Sequence, residues 1–185
     1  MQSRDRAMLA IFYGCGLRRN EGVNVDLSDI NFDRSILHVR KGKNNKERMV
    51  PISKASLKHL QGYIYDHRHQ LIRSKEEALF LSQQGKRMQG QSMLLRLKKL
   101  QYLTGDLDLL NKEIGLHTLR HSIATHLLSA GMKLESISRF LGHSSLESTQ
   151  IYTHLLEEET TGKNNQPYNN IPTYENNQLH EDEQF

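Results

Sequence analysis

The amino-acid sequence predicts a mainly α-helical domain carrying a small antiparallel β-sheet, an α+β arrangement. Three observations point there. Apolar residues recur at helical spacing in the first fourteen positions and again from Ser53. Two β-rich runs flank a single Gly/Asn/Lys turn. From Leu116 onward the ordered sequence carries only helical periodicity, punctuated by glycines.

Taken in order, Ser3 reads as an N-cap, and Ala7, Met8, Ile11 and Phe12 follow at helical spacing until Gly14 and Gly16 break it. Arg18 to Val25 can form a second short helix. A β-region follows through Ile30, Ile36-Leu37-His38-Val39, a polar turn from Gly42 to Lys46, and Met49-Val50-Pro51-Ile52, which together read as a hairpin. Ser53 caps a helix to about His69, with Leu57, Leu60 and Ile64 on one stripe. Ala78-Leu79-Phe80-Leu81 reads as a short strand or a buried extended segment. A helix near 90–103 precedes a loop around Gly105 to Gly115. Leu116, Leu119, Ile123 and Leu127 then form a stripe ending at Gly131, and Leu134, Ile137 and Leu141 form another ending at Gly142. A third short helix is expected from Leu146 to about Leu156.

At 185 residues the chain suits one well-cored domain. No apolar run approaches the ~20 residues of a membrane-spanning helix. Cys15 is the sole cysteine, which excludes a disulfide framework and any zinc module built on paired cysteines. A cytoplasmic setting without membrane contact is the expectation. Residues 156–185 hold one lysine against seven acids, so the net +4 of the chain conceals +10 over residues 1–155. A body that basic favours a polyanion, because each neutralised phosphate releases counterions. From about residue 160 the acidic, Asn-rich sequence reads as a disordered tail, leaving 1–159 as the folded domain.

Four clusters carry chemistry. They are Gly16-Leu17-Arg18-Arg19-Asn20-Glu21; the hairpin tip Lys41 to Arg48, with four cations; His117-Thr118-Leu119-Arg120-His121; and Leu141-Gly142-His143, with Tyr152 nine positions on. Singly each has a bland reading as solvated surface or helix packing. His117 and His121 are spaced for a metal, but no Glu or Cys stands where a hydrolytic zinc site would want one, and neither metal nor cofactor is expected. Together they converge on phosphoryl transfer. Two guanidiniums can hold phosphate oxygens bidentately and stay charged, and a tyrosine can form a covalent intermediate that conserves bond energy for rejoining.

From about Arg4 to Glu157 the sequence resembles the tyrosine recombinases, or phage-integrase family, especially its Xer-type and transposon-borne members. The resemblance rests on the GLR-x-x-E box at Gly16 to Glu21, the GK-x-NKER hairpin from Gly42, H-x-x-RH at His117, and LGH followed by a tyrosine. It implies the tyrosine recombinase catalytic-domain fold and a DNA strand transferase acting in site-specific recombination on double-stranded DNA. Arg18 and Arg120 would hold the scissile phosphate, and Lys43 would protonate the departing 5′ oxygen. His117 would handle the nucleophile's proton, His143 would add a phosphate hydrogen bond, and Tyr152 would attack to give a 3′-phosphotyrosyl bond. Glu21 would organise the site, and His121 is read as packing or support. The remaining hairpin cations, Lys41, Lys46 and Arg48, are expected to contact DNA.

Full-length relatives carry a further N-terminal helical domain. Only 17 residues precede Arg18, so that domain is expected to be absent, and the chain is expected to be either a fragment cut at a domain boundary, the favoured reading, or a minimal single-domain member. A monomer alone and a tetramer on paired DNA sites are the expected states. A type IB topoisomerase and a non-catalytic DNA-binding relative are the alternatives, disfavoured by the hairpin and LGH motifs and by the full catalytic set.

Overall fold

A computed structural model describes residues 2–40, 47–143 and 149. Helix α1 (Ser3–Leu9) begins one residue earlier than the sequence suggested. Gln2 is the N-cap, because the Asp5 carboxylate accepts from the Gln2 N–H at 3.0 Å and closes the first turn from below. The chain then widens into a π-helical turn, Ala10–Gly14, where the Cys15 N–H reaches back to the Ala10 carbonyl at 2.9 Å. This turn buries Ala10, Ile11 and Phe12 and delivers the chain to Gly16. Gly16 sits at φ +61°, and a Cβ there would lie 2.9 Å from Leu141 Cδ2, so glycine is required twice over. Helix α2 (Arg19–Val23) starts immediately, capped by the Glu21 carboxylate on the Arg18 N–H at 2.8 Å.

Strands β1 (Ile30–Asn31), β2 (Ile36–Val39) and β3 (Arg48–Pro51) form one antiparallel sheet in that order. Leu37 faces Val50 and Val39 faces Arg48 across the β2–β3 pair. Leu37, Val39 and Val50 are buried, so period-two alternation turns one face to the core. Pro51 is tolerated because β3 is an edge strand.

Ser53 caps α3 (Lys54–Asp66) as expected, its Oγ accepting from the Ser56 N–H at 3.2 Å. The helix ends three residues earlier than the expected His69. Its buried residues are Ser56, Leu60 and Tyr63, while Leu57 and Ile64 pack at the margin. Beyond it, Arg68 is buried and donates to the carbonyls of Glu76, Ala78 and Leu79. That anchors Ala78 to Leu81 as a buried extended segment, joined to its neighbours by single bridges from Ala78 and Leu81 and not as a strand. Helix α4 (Gly90–Leu103) matches the expected span. The loop that follows contains a single turn, α5 (Leu107–Leu110), capped by Asp106.

Helices α6 (Leu116–Ser129) and α7 (Leu134–Leu141) close the described part. The latter ends on Gly142 in the left-handed conformation, as the glycine-terminated stripe predicted. The buried stripe of α6 runs Leu116, Arg120, Ile123, Ala124, Leu127. Leu119 is on its shoulder, and Arg120 occupies the stripe itself and not its flank. Two apolar clusters result. One gathers α1, the sheet, α3 and α4; the other holds Ile123, Ala124, Leu127, Ile137 and Leu141; Phe140 packs against both. Each large side chain withdrawn from water in this way contributes about 1.5–3 kcal/mol. Among the described residues no helix is long and apolar enough to cross a membrane.

Candidate active site

The seam between the two clusters is polar. Its centre is Glu21, whose side chain is 4% exposed. Burial pushes its carboxyl up, but hydrogen bonds and charge from Arg48, joined by Arg18, outweigh that and hold it below the usual carboxylate range. Arg48 grips both oxygens, Nη1 to Oε1 at 2.9 Å and Nη2 to Oε2 at 3.0 Å. Arg18 Nη1 lies 3.1 Å from Oε1, and Arg120 Nη1 lies 3.7 Å from Oε2.

The same three guanidiniums meet the end of α7, where carbonyls lack helical partners and the helix dipole is negative. Arg48 Nε donates to Phe140 O at 3.0 Å and Arg120 Nη2 to Leu141 O at 2.7 Å. Arg18 Nη1 and Nη2 each stand 3.5 Å from Gly142 O. Arg120 Nη1 also donates to Gly16 O at 2.8 Å, tying the first motif to the third. Arg18 alone of the three stays substantially open, at 34% side-chain exposure.

His143 follows Gly142 directly and is half-buried, its Nδ1 2.8 Å from Thr149 Oγ1. Burial first, then Arg120, Arg18, Arg48 and His121, push its pKa down to about 4. It is therefore neutral at pH 7 and can donate one ring N–H to an anion without adding charge. His117 is exposed at the start of α6, its ring folded over Gly115, where an added Cβ would meet it at 2.9 Å. It lines a small cavity of about 160 Å³ with Arg19, Lys98 and Glu113. His121 stands edge-on to His117, with ring centroids 6.2 Å apart. Burial, then His117 and Arg120, lower its pKa. The residue is exposed overall, while its ring keeps the edge contact to His117. Cys15 is buried and its thiol is pushed up to about 12, which leaves it inert as a nucleophile.

The structure thus brings together Arg18, Glu21, Arg120 and His143, with His117 and His121 along one flank of α6. Lys41, Lys43, Lys46, Tyr152 and nearly all of the expected Leu146–Leu156 helix lie outside the described residues. Arg48 requires a correction. It was expected to contact DNA from the hairpin, yet its side chain is 8% exposed and turned inward onto Glu21 and Phe140. The signal was present in the sequence: Arg48 shares the period-two face of Val50, which is core. The three carbonyl acceptors at the end of α7 were not legible, because backbone groups carry no sequence signature.

A basic, carboxylate-organised seam thus sits on a mainly helical α+β scaffold. The chain belongs to the phage integrase family, whose match covers residues 1–159. It is 41% identical over 152 residues to tyrosine recombinase XerC of Chlamydia trachomatis serovar L2, covering 82% of this chain and 47% of that protein. It is 41% identical over 153 residues to XerD of Pseudomonas putida, covering 82% and 50%. The chain therefore spans about half the length of these curated relatives. Among solved structures, XerA recombinase superposes with a TM-score of 0.75 at 30% identity, covering 89% of this chain and 60% of that one. XerH bound to difH in a post-cleavage complex gives 0.69 at 27% identity, covering 86% and 45%. The fold is that of a tyrosine recombinase catalytic domain.

Proposed function

We propose that this chain is the catalytic part of a site-specific DNA recombinase that cleaves and rejoins strands through a 3′-phosphotyrosyl intermediate at Tyr152 without metal. The observation that carries the reading is the convergence of Arg18 and Arg120 on one helix end beside a neutral His143, with a single carboxylate holding both. Such an arrangement presents fixed cations to the non-bridging oxygens of a phosphodiester, where negative charge grows in the transition state. Arg18, the more open, and Arg120, the more rigid, bind the phosphate, and His143 donates a further hydrogen bond. Glu21 orients the arginines. His117, on the flank of α6, takes the phenol proton, which a tyrosine of pKa near ~10 retains at neutral pH. Lys43 protonates the 5′ oxygen as it leaves.

The partner is double-stranded DNA, gripped through the basic body, with Lys41 and Lys46 on backbone phosphates. Monomers assemble as a tetramer on paired sites, in the cytoplasm. Residues 1–159 are the catalytic unit and 160–185 an acidic tail.

The test is a suicide DNA substrate incubated with protein and EDTA. A covalent adduct surviving denaturing electrophoresis is expected, absent in Tyr152→Phe while DNA affinity stays within about threefold. An adduct persisting in that variant, or mapping to Tyr102 or Tyr168, overturns the nucleophile. A strict requirement for Mg²⁺ overturns the mechanism.

A further inference from the structure

Arg48 lies apart from the residues given chemical roles above, yet it bonds both Glu21 oxygens and a carbonyl at the end of α7. Its fork matches the Glu21 carboxylate oxygen for oxygen, and its Nε reaches the Phe140 carbonyl. The guanidinium lies across the left-handed turn at Gly142, where an added Cβ would stand 2.7 Å from Arg48 Cδ and 2.9 Å from Nη1. Three pieces of chain therefore meet on one side chain. They are β3, which follows Lys43 in the sequence; the first turn of α2, which Arg18 caps; and the end of α7, which leads into His143.

We propose that Arg48 is a positioning residue of the strand-transfer centre, fixing Glu21 and the end of α7 so that Arg18 and His143 hold one phosphate-binding geometry. This deepens the recombinase reading and rests on it. Glu21 has two oxygens and three arginines near it. With Arg48 saturating both, Arg18 makes only one side-chain contact to the carboxylate and keeps its open face. Without Arg48, the buried carboxylate turns to the cations that remain, Arg18 and Arg120 at 3.7 Å, and draws them from the phosphate. The end of α7 also loses a donor, so His143 shifts. Lysine cannot substitute, because a single ammonium does not span two carboxylate oxygens and a carbonyl in fixed plane. Displacement of a reacting group by about 1 Å costs on the order of 10²-fold in rate.

The experiment compares Arg48→Met, which keeps the stem volume, and Arg48→Lys, which keeps stem and charge, with the wild type. The readouts are the single-turnover rate of adduct formation at saturating suicide DNA, the Kd for the same duplex, and the circular-dichroism melt. Folded Arg48→Met is expected to cleave about 10²-fold more slowly with Kd within threefold. Arg48→Lys is expected to recover no more than about tenfold of that loss. Adding Glu21→Gln to Arg48→Met is expected to cost little more than the worse single change, since both act through one contact. If Arg48→Met does not fold, Arg48→Lys decides alone: a rate at least tenfold below wild type at unchanged Kd supports the role, and a smaller loss overturns it. Folded Arg48→Met cleaving at the wild-type rate overturns it, as does a loss carried wholly by Kd, which would make Arg48 a DNA contact. Should the wild type form no adduct, the recombinase reading fails on its own, and the His143 ring resonances followed against pH become the measure. His143 faces Arg18, Arg48, Arg120 and His121. A higher midpoint with a changed hydrogen-bonded ring-nitrogen shift in Arg48→Met keeps the positioning role. Unmoved resonances overturn it.

Discussion

Two regions of the molecule use one device, a carboxylate shared among arginines, with opposite charge balance. At the sheet margin, Asp26 takes Arg40 at 2.7 Å and Arg87 at 2.5 Å. Arg40 also reaches Asp29 at 2.9 Å, and Arg87 stands 3.9 Å from Glu76. Burial raises the Asp26 carboxyl, but hydrogen bonds from Arg87 and Arg40 outweigh it, and its pKa is lowered. Two cations there answer three acids. In the seam, three cations answer Glu21. The sheet network is half open, with Arg40 at 48% side-chain exposure, whereas the Glu21 network is almost closed. The sheet-margin cluster carries one acid in excess, whereas the seam carries two cations in excess, met in part by the carbonyls at the end of α7.

Breaking the comparison at its strongest point gives the largest expected effect. Arg120→Ala leaves the carbonyls of Gly16 and Leu141 without that donor and, on the proposed function, removes a phosphate ligand. Adduct formation should fall by about 10³-fold or more. Urea unfolding should show a loss of about 3–5 kcal/mol, the scale for removing one partner from a buried charge network. Arg40→Ala should do neither: a stability loss below about 1 kcal/mol and unchanged cleavage. Equal losses for the two variants would erase the distinction.

Arg18→Ala separates binding from support. Being open, Arg18 contributes less to folding, so cleavage should drop by about 10²–10³-fold with a melting temperature near wild type. A melt as damaged as that of Arg120→Ala would assign it to structure.

The pH dependence sharpens the contrast. His143 titrates at about 4 when folded, against about 6.5 unfolded, so between those values the unfolded chain binds the proton first. Stability is therefore full above about pH 6.5 and is lost as pH falls towards 4. His121, also lowered, adds with the same sign. Glu21 and Asp26, both depressed, lose their contribution only at lower pH. Urea midpoints between pH 7 and 4.5 should fall for the wild type and flatten in His143→Gln. An unchanged slope would remove His143 from the linkage.

The smallest expected effect is anion binding without DNA. Sulfate at ten times its Kd should stabilise by about 1.4 kcal/mol, raising the melting temperature by about 3 °C. Arg18→Ala should abolish the rise and Arg40→Ala should keep it. The reverse pattern would place the cation surplus in the wrong region.

Helices α6 and α7 and the β2–β3 pair were legible because their apolar periodicity matches their burial. Gly142 as a helix stop was legible because a left-handed cap favours glycine. Ser3 misled, since Asp5 closes the cap on Gln2 instead. Tyr63 and Arg68 were missed: a tyrosine hydroxyl accepting from Leu81 and an arginine spread over three carbonyls depend on partners eight to eighteen residues away. Sequence by itself determined the fold class, the family and the identities of Arg18, Glu21, Arg120 and His143, because spacing and residue type carry that information. The tertiary structure alone decided which groups the inward-facing Arg48 meets, that Arg120 lies on the buried stripe, and that Phe140, Leu141 and Gly142 receive three guanidiniums. Those outcomes depend on where carbonyls of one element end beside cations of another, and a backbone oxygen is the same in every residue.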